Sequence, residues 1–117
     1  MTVFEEIISG NSPATKVYED EFTVAFYDKD PQSPVHILVV PKKKTKNIDE
    51  VDGKTVSDLI EATKKVAKKM GLDKSGYRLI INNGEDAHQN IPYLHIHILG
   101  GKKLSKTIHH DYTHTAM

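Results

Sequence analysis

The chain contains no cysteine, which excludes disulfides, thiol catalysis and cysteine-ligated zinc. It also lacks net charge. Sixteen Lys and Arg offset sixteen Asp and Glu, so nothing global favours nucleic acid or an anionic membrane as a partner. No apolar run approaches the roughly 20 residues of a membrane span. Met1-Thr2-Val3-Phe4-Glu5-Glu6 has neither the basic nor the apolar region of a signal peptide, and a cytoplasmic location is expected. Internal repeats and low-complexity blocks are absent too. What is there is 117 residues, 38% hydrophobic and 27% charged, the composition of one ordinary globular domain with one core.

Local signals divide the chain into short elements. Thr2 and Glu5 have the spacing of a capping box, and Phe4, Ile7 and Ile8 recur at i, i+3 and i+4, predicting a short helix before Gly10. Lys16–Glu19 and Phe22–Tyr27, joined at Asp20-Glu21, read as a β-hairpin. Val35–Val40 reads as a buried strand ended by Pro41, with His36 its one polar member. The longest helix is expected over Lys54–Met70, with Val56, Leu59, Ile60, Thr63, Val66, Ala67 and Met70 facing inward and Gly71 capping it. Tyr77–Asn82 is a further strand, followed by a polar loop. Only one long helix separates the later strands, so the class is α+β with a mainly antiparallel sheet of about five strands. A domain over 1–104 and a tail over 105–117 are expected.

Chemistry concentrates in Tyr93-Leu94-His95-Ile96-His97-Ile98-Leu99-Gly100-Gly101. A strand sends alternate side chains to opposite faces, so Tyr93, His95 and His97 share one face and Leu94, Ile96 and Ile98 the other. Of seven histidines, His109, His110 and His114 fall in the tail and His88 in a loop, where solvation is the ordinary expectation. His36 alone reads more readily as a hydrogen-bonded core residue. His95 with His97 is different, because adjacent same-face imidazoles repel if both are charged and need partners if buried. Three uses fit the pair. They could chelate zinc with His36 or Asp28, exchange protons as acid and base, or supply a neutral imidazole as nucleophile. Spacing alone does not separate the last two.

The run His95 to Gly101 resembles the signature of the histidine triad (HIT) family, His-φ-His-φ-His-φ-φ with φ apolar, and its Gly-Gly ending is similar to that of the Hint branch. Phe4-Glu5-Glu6-Ile7-Ile8, Tyr18-Glu19-Asp20, Ala25-Phe26-Tyr27-Asp28, Pro34 to Lys43 and Gly76 to Asn82 resemble Hint segments in the same order, over roughly residues 3 to 103. The resemblance implies a HIT fold whose sheet extends across a homodimer. It also implies hydrolysis or transfer of purine nucleoside monophosphate conjugates, typically phosphoramidates, with no cofactor and no essential metal. On the matching positions His95 would be the nucleophile on phosphorus and His97 would stand beside the phosphate and leaving group. His36 would be the upstream histidine, and Asp28 would receive the ribose hydroxyls. Phe4, Ile7 and Phe26 would line the base pocket, and Asn82 would belong to the nucleotide site. Asn90 would stand near the leaving group, where the branch commonly has serine.

The chain departs from the pattern at Tyr93, which occupies the first triad position. A tyrosine hydroxyl can hydrogen-bond, here expected to His36, but it is a poor proton shuttle at neutral pH. The alternatives are a nucleotide-binding regulatory protein with weak turnover and, further off, a zinc-binding protein. The tail also lacks the Trp-Pro-Pro ending of many Hint proteins.

Overall fold

The computed structural model describes residues 1–106; the tail histidines lie outside the described residues. The capping box forms as the spacing predicts. Thr2 Oγ1 accepts from the Glu5 N–H, and the Glu5 carboxylate accepts from the Thr2 N–H at 3.0 Å, satisfying two donors that a first helical turn leaves free. Helix α1 (Val3–Ser9) follows and buries Phe4 and Ile7.

Strands β1 (Lys16–Glu19) and β2 (Thr23–Tyr27) form the expected hairpin. Phe22 falls outside β2 because its N–H turns back to the Asp20 carboxylate, leaving its ring 44% exposed. Then come β3 (Val35–Pro41), α2 (Gly53–Lys69), β4 (Arg78–Ile80) and β5 (Ile96–Gly100). The strands make one sheet in the order β1-β2-β3-β5-β4, with every described pairing antiparallel. Two expected strands are shorter than their apolar runs: β4 covers three residues of Tyr77–Asn82, and β5 starts at Ile96, so His95 immediately precedes the ladder.

Residues of β2 and β3 are buried on both faces because each face has a helix over it. On one face Ala25, Ile37, Val39, Ile96 and Ile98 pack with Leu59, Ala62, Val66 and Ala67 of α2. On the other, Val24, Phe26, Leu38, Val40 and Tyr93 pack with Phe4 and Ile7 of α1. The inner stripe of α2 is rotated from the expected one. Thr55, Leu59, Ala62, Thr63, Val66 and Ala67 are buried, Val56 is half-buried and Ile60 is 37% exposed; the small Ala62 lies on the sheet instead. Gly71, at φ +73, ends the helix as its N–H meets Lys68 O and the Leu72 N–H meets Ala67 O, a Schellman arrangement.

The Gly100-Gly101 pair has a steric reason. A Cβ on Gly100 would lie 2.9 Å from a Leu72 methyl carbon. Gly101, at φ +88, would place one 3.0 Å from Pro34 Cβ and 3.3 Å from the Val35 nitrogen. These contacts hold the end of β5 against the start of β3.

The hairpin turn is organised by one carboxylate. Asp20 Oδ1 accepts from the Phe22 N–H, the Thr23 N–H and the Thr23 hydroxyl at 2.8 Å each, and Oδ2 accepts from the Tyr18 hydroxyl at 2.7 Å. Burial pushes this carboxyl up, but the four hydrogen bonds outweigh it and bring it down to about 2. Asp20→Ala is expected to lower the unfolding free energy by about 1–3 kcal/mol in urea at neutral pH. Because the folded value lies below the ordinary 3.8, the wild-type advantage is full above the unfolded value and is lost as pH falls through the folded one. It should narrow by about 1 kcal/mol by pH ~3; a gap that stays constant from pH ~5 to ~3 would contradict this account.

Candidate active site

Helix α1 has seven residues, about 10 Å of length, and does not cover its whole sheet face. The uncovered part is a cavity of about 900 Å³ walled by α1, β2, β3, the loop after β2, the loop before β5 and the histidine strand. Eight expected site residues line it: Phe4, Ile7, Phe26, Asp28, Asn82, Asn90, His95 and His97. Its volume suits a drug- or nucleotide-sized ligand. Apolar walls from Val3, Ile7, Phe26 and Leu38 and polar groups from Asp28, Asn82, Asn90 and the histidines converge on it. His36 and Tyr93 stand behind that wall. Sequence reasoning missed Gln32, Lys29, His88 and Ile91, which also line the cavity. His88 carried a local signal only in retrospect: it is the one non-glycine residue with positive φ (+59) among the described residues.

His95 is held from two sides. Its Nδ1 lies 2.8 Å from the Tyr93 carbonyl oxygen; a carbonyl only accepts, so Nδ1 carries the proton and Nε2 keeps its lone pair. The Phe4 ring meets the His95 ring edge-on at 5.0 Å between centroids, so Phe4 supports the imidazole as well as lining the cavity. Burial lowers the His95 pKa against the opposing Tyr93 carbonyl and Asp28, which keeps the ring neutral.

His97 follows on the same face, 4.9 Å from His95 between ring centroids. Its Nδ1 lies 2.9 Å from His36 Nε2, and its Nε2 is buried with no hydrogen-bond partner among the described residues. Burial, then the neighbouring His95 and His36, bring its pKa down to about 4 despite Asp28. His36 is lowered by burial against Asp28 and Asp30. Its 3.5 Å contact with Asp28 therefore joins a neutral ring to a carboxylate and is no ion pair. Among the described residues one group could hold a metal: Asp28, His36 and His97, whose ligand atoms lie within 4.8 Å of one another. His95 is outside it.

The expected Tyr93–His36 hydrogen bond does not form. The Tyr93 hydroxyl donates to the Pro41 carbonyl at the end of β3, and His36 pairs with His97 instead. Tyr93 is fully buried beneath Phe4, and burial, with Glu5 adding, pushes its hydroxyl up to about 12. It stays a neutral donor.

The fold and site thus define an α+β protein with a nucleotide-sized cleft backed by neutral imidazoles on one sheet face. Residues 9–104 match the model of the HIT domain, and the chain belongs to the HIT family. It is 42% identical over 107 residues to a HIT-like protein of Buchnera aphidicola, covering 89% of this chain and 96% of that one. A histidine triad protein from Clostridium difficile superimposes with a TM-score of 0.85 at 44% identity, covering 90% and 94% of the two chains. A HIT family hydrolase from Legionella pneumophila gives 0.87 at 35% identity, covering 91% and 97%. No described helix is long and apolar enough to cross a membrane.

Since the Tyr93 hydroxyl satisfies a buried carbonyl, Tyr93→Phe is expected to cost about 1–3 kcal/mol of stability, measured by calorimetry. The His95 ring should keep its Nδ1 proton, because a backbone atom holds it. Unchanged stability would mean that the hydroxyl anchors nothing.

Proposed function

We propose that the protein is a HIT hydrolase of the Hint type, which cleaves purine nucleoside 5′-monophosphate phosphoramidates and related conjugates through a nucleotidyl-histidine intermediate. One observation carries this reading: His95, whose Nδ1 is held by the Tyr93 carbonyl so that Nε2 keeps its lone pair, lines the cavity with His97, 4.9 Å away between ring centroids. The base lies against Ile7 and Phe26 with Phe4 beneath, Asp28 receives the ribose hydroxyls, and Asn82 contacts the nucleotide. Nε2 of His95 attacks phosphorus and the P–N bond breaks, its electron pair leaving on nitrogen, which takes up a proton from solvent. Water then attacks phosphorus and gives a proton to solvent as the Nε2–P bond breaks, its electron pair returning to Nε2, and the nucleoside monophosphate departs. His97 hydrogen-bonds the phosphoryl or leaving group, and Asn90 flanks the departing amine.

Tyr93 contributes to this scheme as a fixed carbonyl, so its replacement of a histidine leaves the attacking ring positioned. No step requires a metal, although Asp28, His36 and His97 form a possible ligand set. Incubation with adenosine 5′-phosphoramidate, quenched in alkaline denaturant, should give a protein mass raised by one adenylyl group. Release of AMP should accompany it, and His95→Ala should abolish both. EDTA should leave the rate unchanged; loss of activity restored by zinc would replace this reading with the metal one. Nucleotide binding with neither adduct nor turnover would make the protein a binding module.

We also propose a homodimer that continues the sheet. Among the described strands β4 pairs only with β5; it carries Leu79, 41% exposed, and Ile81 just past its end is 38% exposed. Apolar side chains on an open edge favour a second strand. Sedimentation should show a dimer for the wild type and a monomer for Leu79→Lys combined with Ile81→Lys. A wild-type monomer at micromolar concentration would rule the pairing out.

A further inference from the structure

We propose that the backbone N–H of Gln32 sets the proton positions on His36 and, through it, on His97, making His97 an obligate hydrogen-bond donor at Nε2. The chain of contacts is short and each link has one direction. The Gln32 N–H lies 3.0 Å from His36 Nδ1, and a peptide N–H can only donate, so that nitrogen must be a lone pair. A neutral imidazole then carries its proton on Nε2. Asp28 adds only a weak bias the same way, since its carboxylate oxygen lies 3.5 Å from His36 Nε2, at the outer limit of a hydrogen bond. The His36 Nε2–H faces His97 Nδ1 at 2.9 Å, so Nδ1 of His97 must accept, and the single proton of a neutral His97 sits on Nε2. That atom is the buried one without a partner.

Adjacent rings are thereby held in opposite tautomers, by two backbone groups acting from different loops. The Tyr93 carbonyl fixes His95 with an Nε2 lone pair, while the Gln32 amide fixes His97 with an Nε2 proton. The pairing of a nucleophile with a donor is what attack on an anionic phosphoryl group needs; two lone pairs there would both repel its oxygens. This catalytic use rests on the function proposed above, whereas the tautomer assignment does not. The loop around Gln32 is built to hold the amide in place. The Asp30 N–H donates to Asp28 Oδ1 at 2.8 Å, and the buried Ser33 hydroxyl donates to the Val35 carbonyl. Gln32 is a positioning residue through its main chain alone. The same proton argues against easy metal entry, because the ligand atoms of His36 and His97 already share it.

Ring nitrogen NMR of protein labelled in histidine tests this directly. In the wild type, His36 and His97 should show protonated Nε2 and His95 protonated Nδ1. Gln32→Ala, which keeps the amide, should leave all three unchanged. A backbone ester in place of the amide at residue 32, with Gln32→Pro as the genetic counterpart, should convert His97 to a mixture of tautomers. The rate of adduct formation should then fall about tenfold, less than the roughly 10²–10⁴-fold of a positioned proton donor, because part of the mixture keeps the Nε2 proton. A wild-type His97 protonated at Nδ1, or an ester variant with unchanged His97, overturns the proposal. Correct tautomers in a wild type that forms no adduct would uphold the relay and overturn the hydrolase reading instead.

Discussion

The pairing of β3 with β5 is the constraint on which the rest of the site depends. Its register sets Leu38 opposite His97 and His36 opposite Leu99, so two histidines 61 residues apart become diagonal neighbours on one face. A slip of one residue would turn either strand's set of side chains over. Ile37, Val39, Ile96 and Ile98 would leave the α2 core, and the histidine would go into it. The hydrophobic face thus specifies the polar one. Gly100 and Gly101 strengthen the register at its end, where β5 lies too close to Leu72, Pro34 and Val35 for side chains.

That dependence explains how much was legible in the sequence. Period-two alternation from Tyr93 to Leu99 assigned His95 and His97 to one face because burial on the other leaves no choice. The capping box, the hairpin and the end of α2 at Gly71 are local chemistry, and they appear where their residues stand. The rotation of α2 away from Ile60 was not legible, since apolar content alone does not tell Ile60 from Ala62; close approach of helix to sheet favours the smaller side chain. The partner of Tyr93 was illegible for a related reason. Its hydroxyl could reach any acceptor in a buried neighbourhood, and the sequence does not show that the Pro41 carbonyl lies there. The part played by Gln32 leaves no trace in composition, because the group concerned is a main-chain amide that almost any residue supplies.

The site carries a cost in stability. Three imidazoles are kept neutral by burial, and each makes at least one hydrogen bond. One polar atom, His97 Nε2, is left over. An unmet buried donor costs about 1–3 kcal/mol, and a ligand that accepts from it recovers that energy on binding. In the short α1, Phe4 and Ile7 are buried and also line the cavity, so the helix serves the core and the cavity wall with the same side chains.

Tyr93 shows how a residue can orient a neighbouring imidazole through its main chain. His95 precedes the β5 ladder, so sheet hydrogen bonds do not hold it; the preceding backbone must. The Tyr93 N–H is bonded to the Ile91 carbonyl and the Leu94 N–H to the Thr45 carbonyl, while the Tyr93 ring is locked beneath Phe4 and its hydroxyl on Pro41. These contacts immobilise the carbonyl that orients His95. Tyrosine meets that requirement through size and one hydroxyl, with no proton to move. The donor chain runs separately, from Gln32 through His36 to His97. Because the two supports share no atom, Tyr93 can be purely structural while His95 and His97 stay in place.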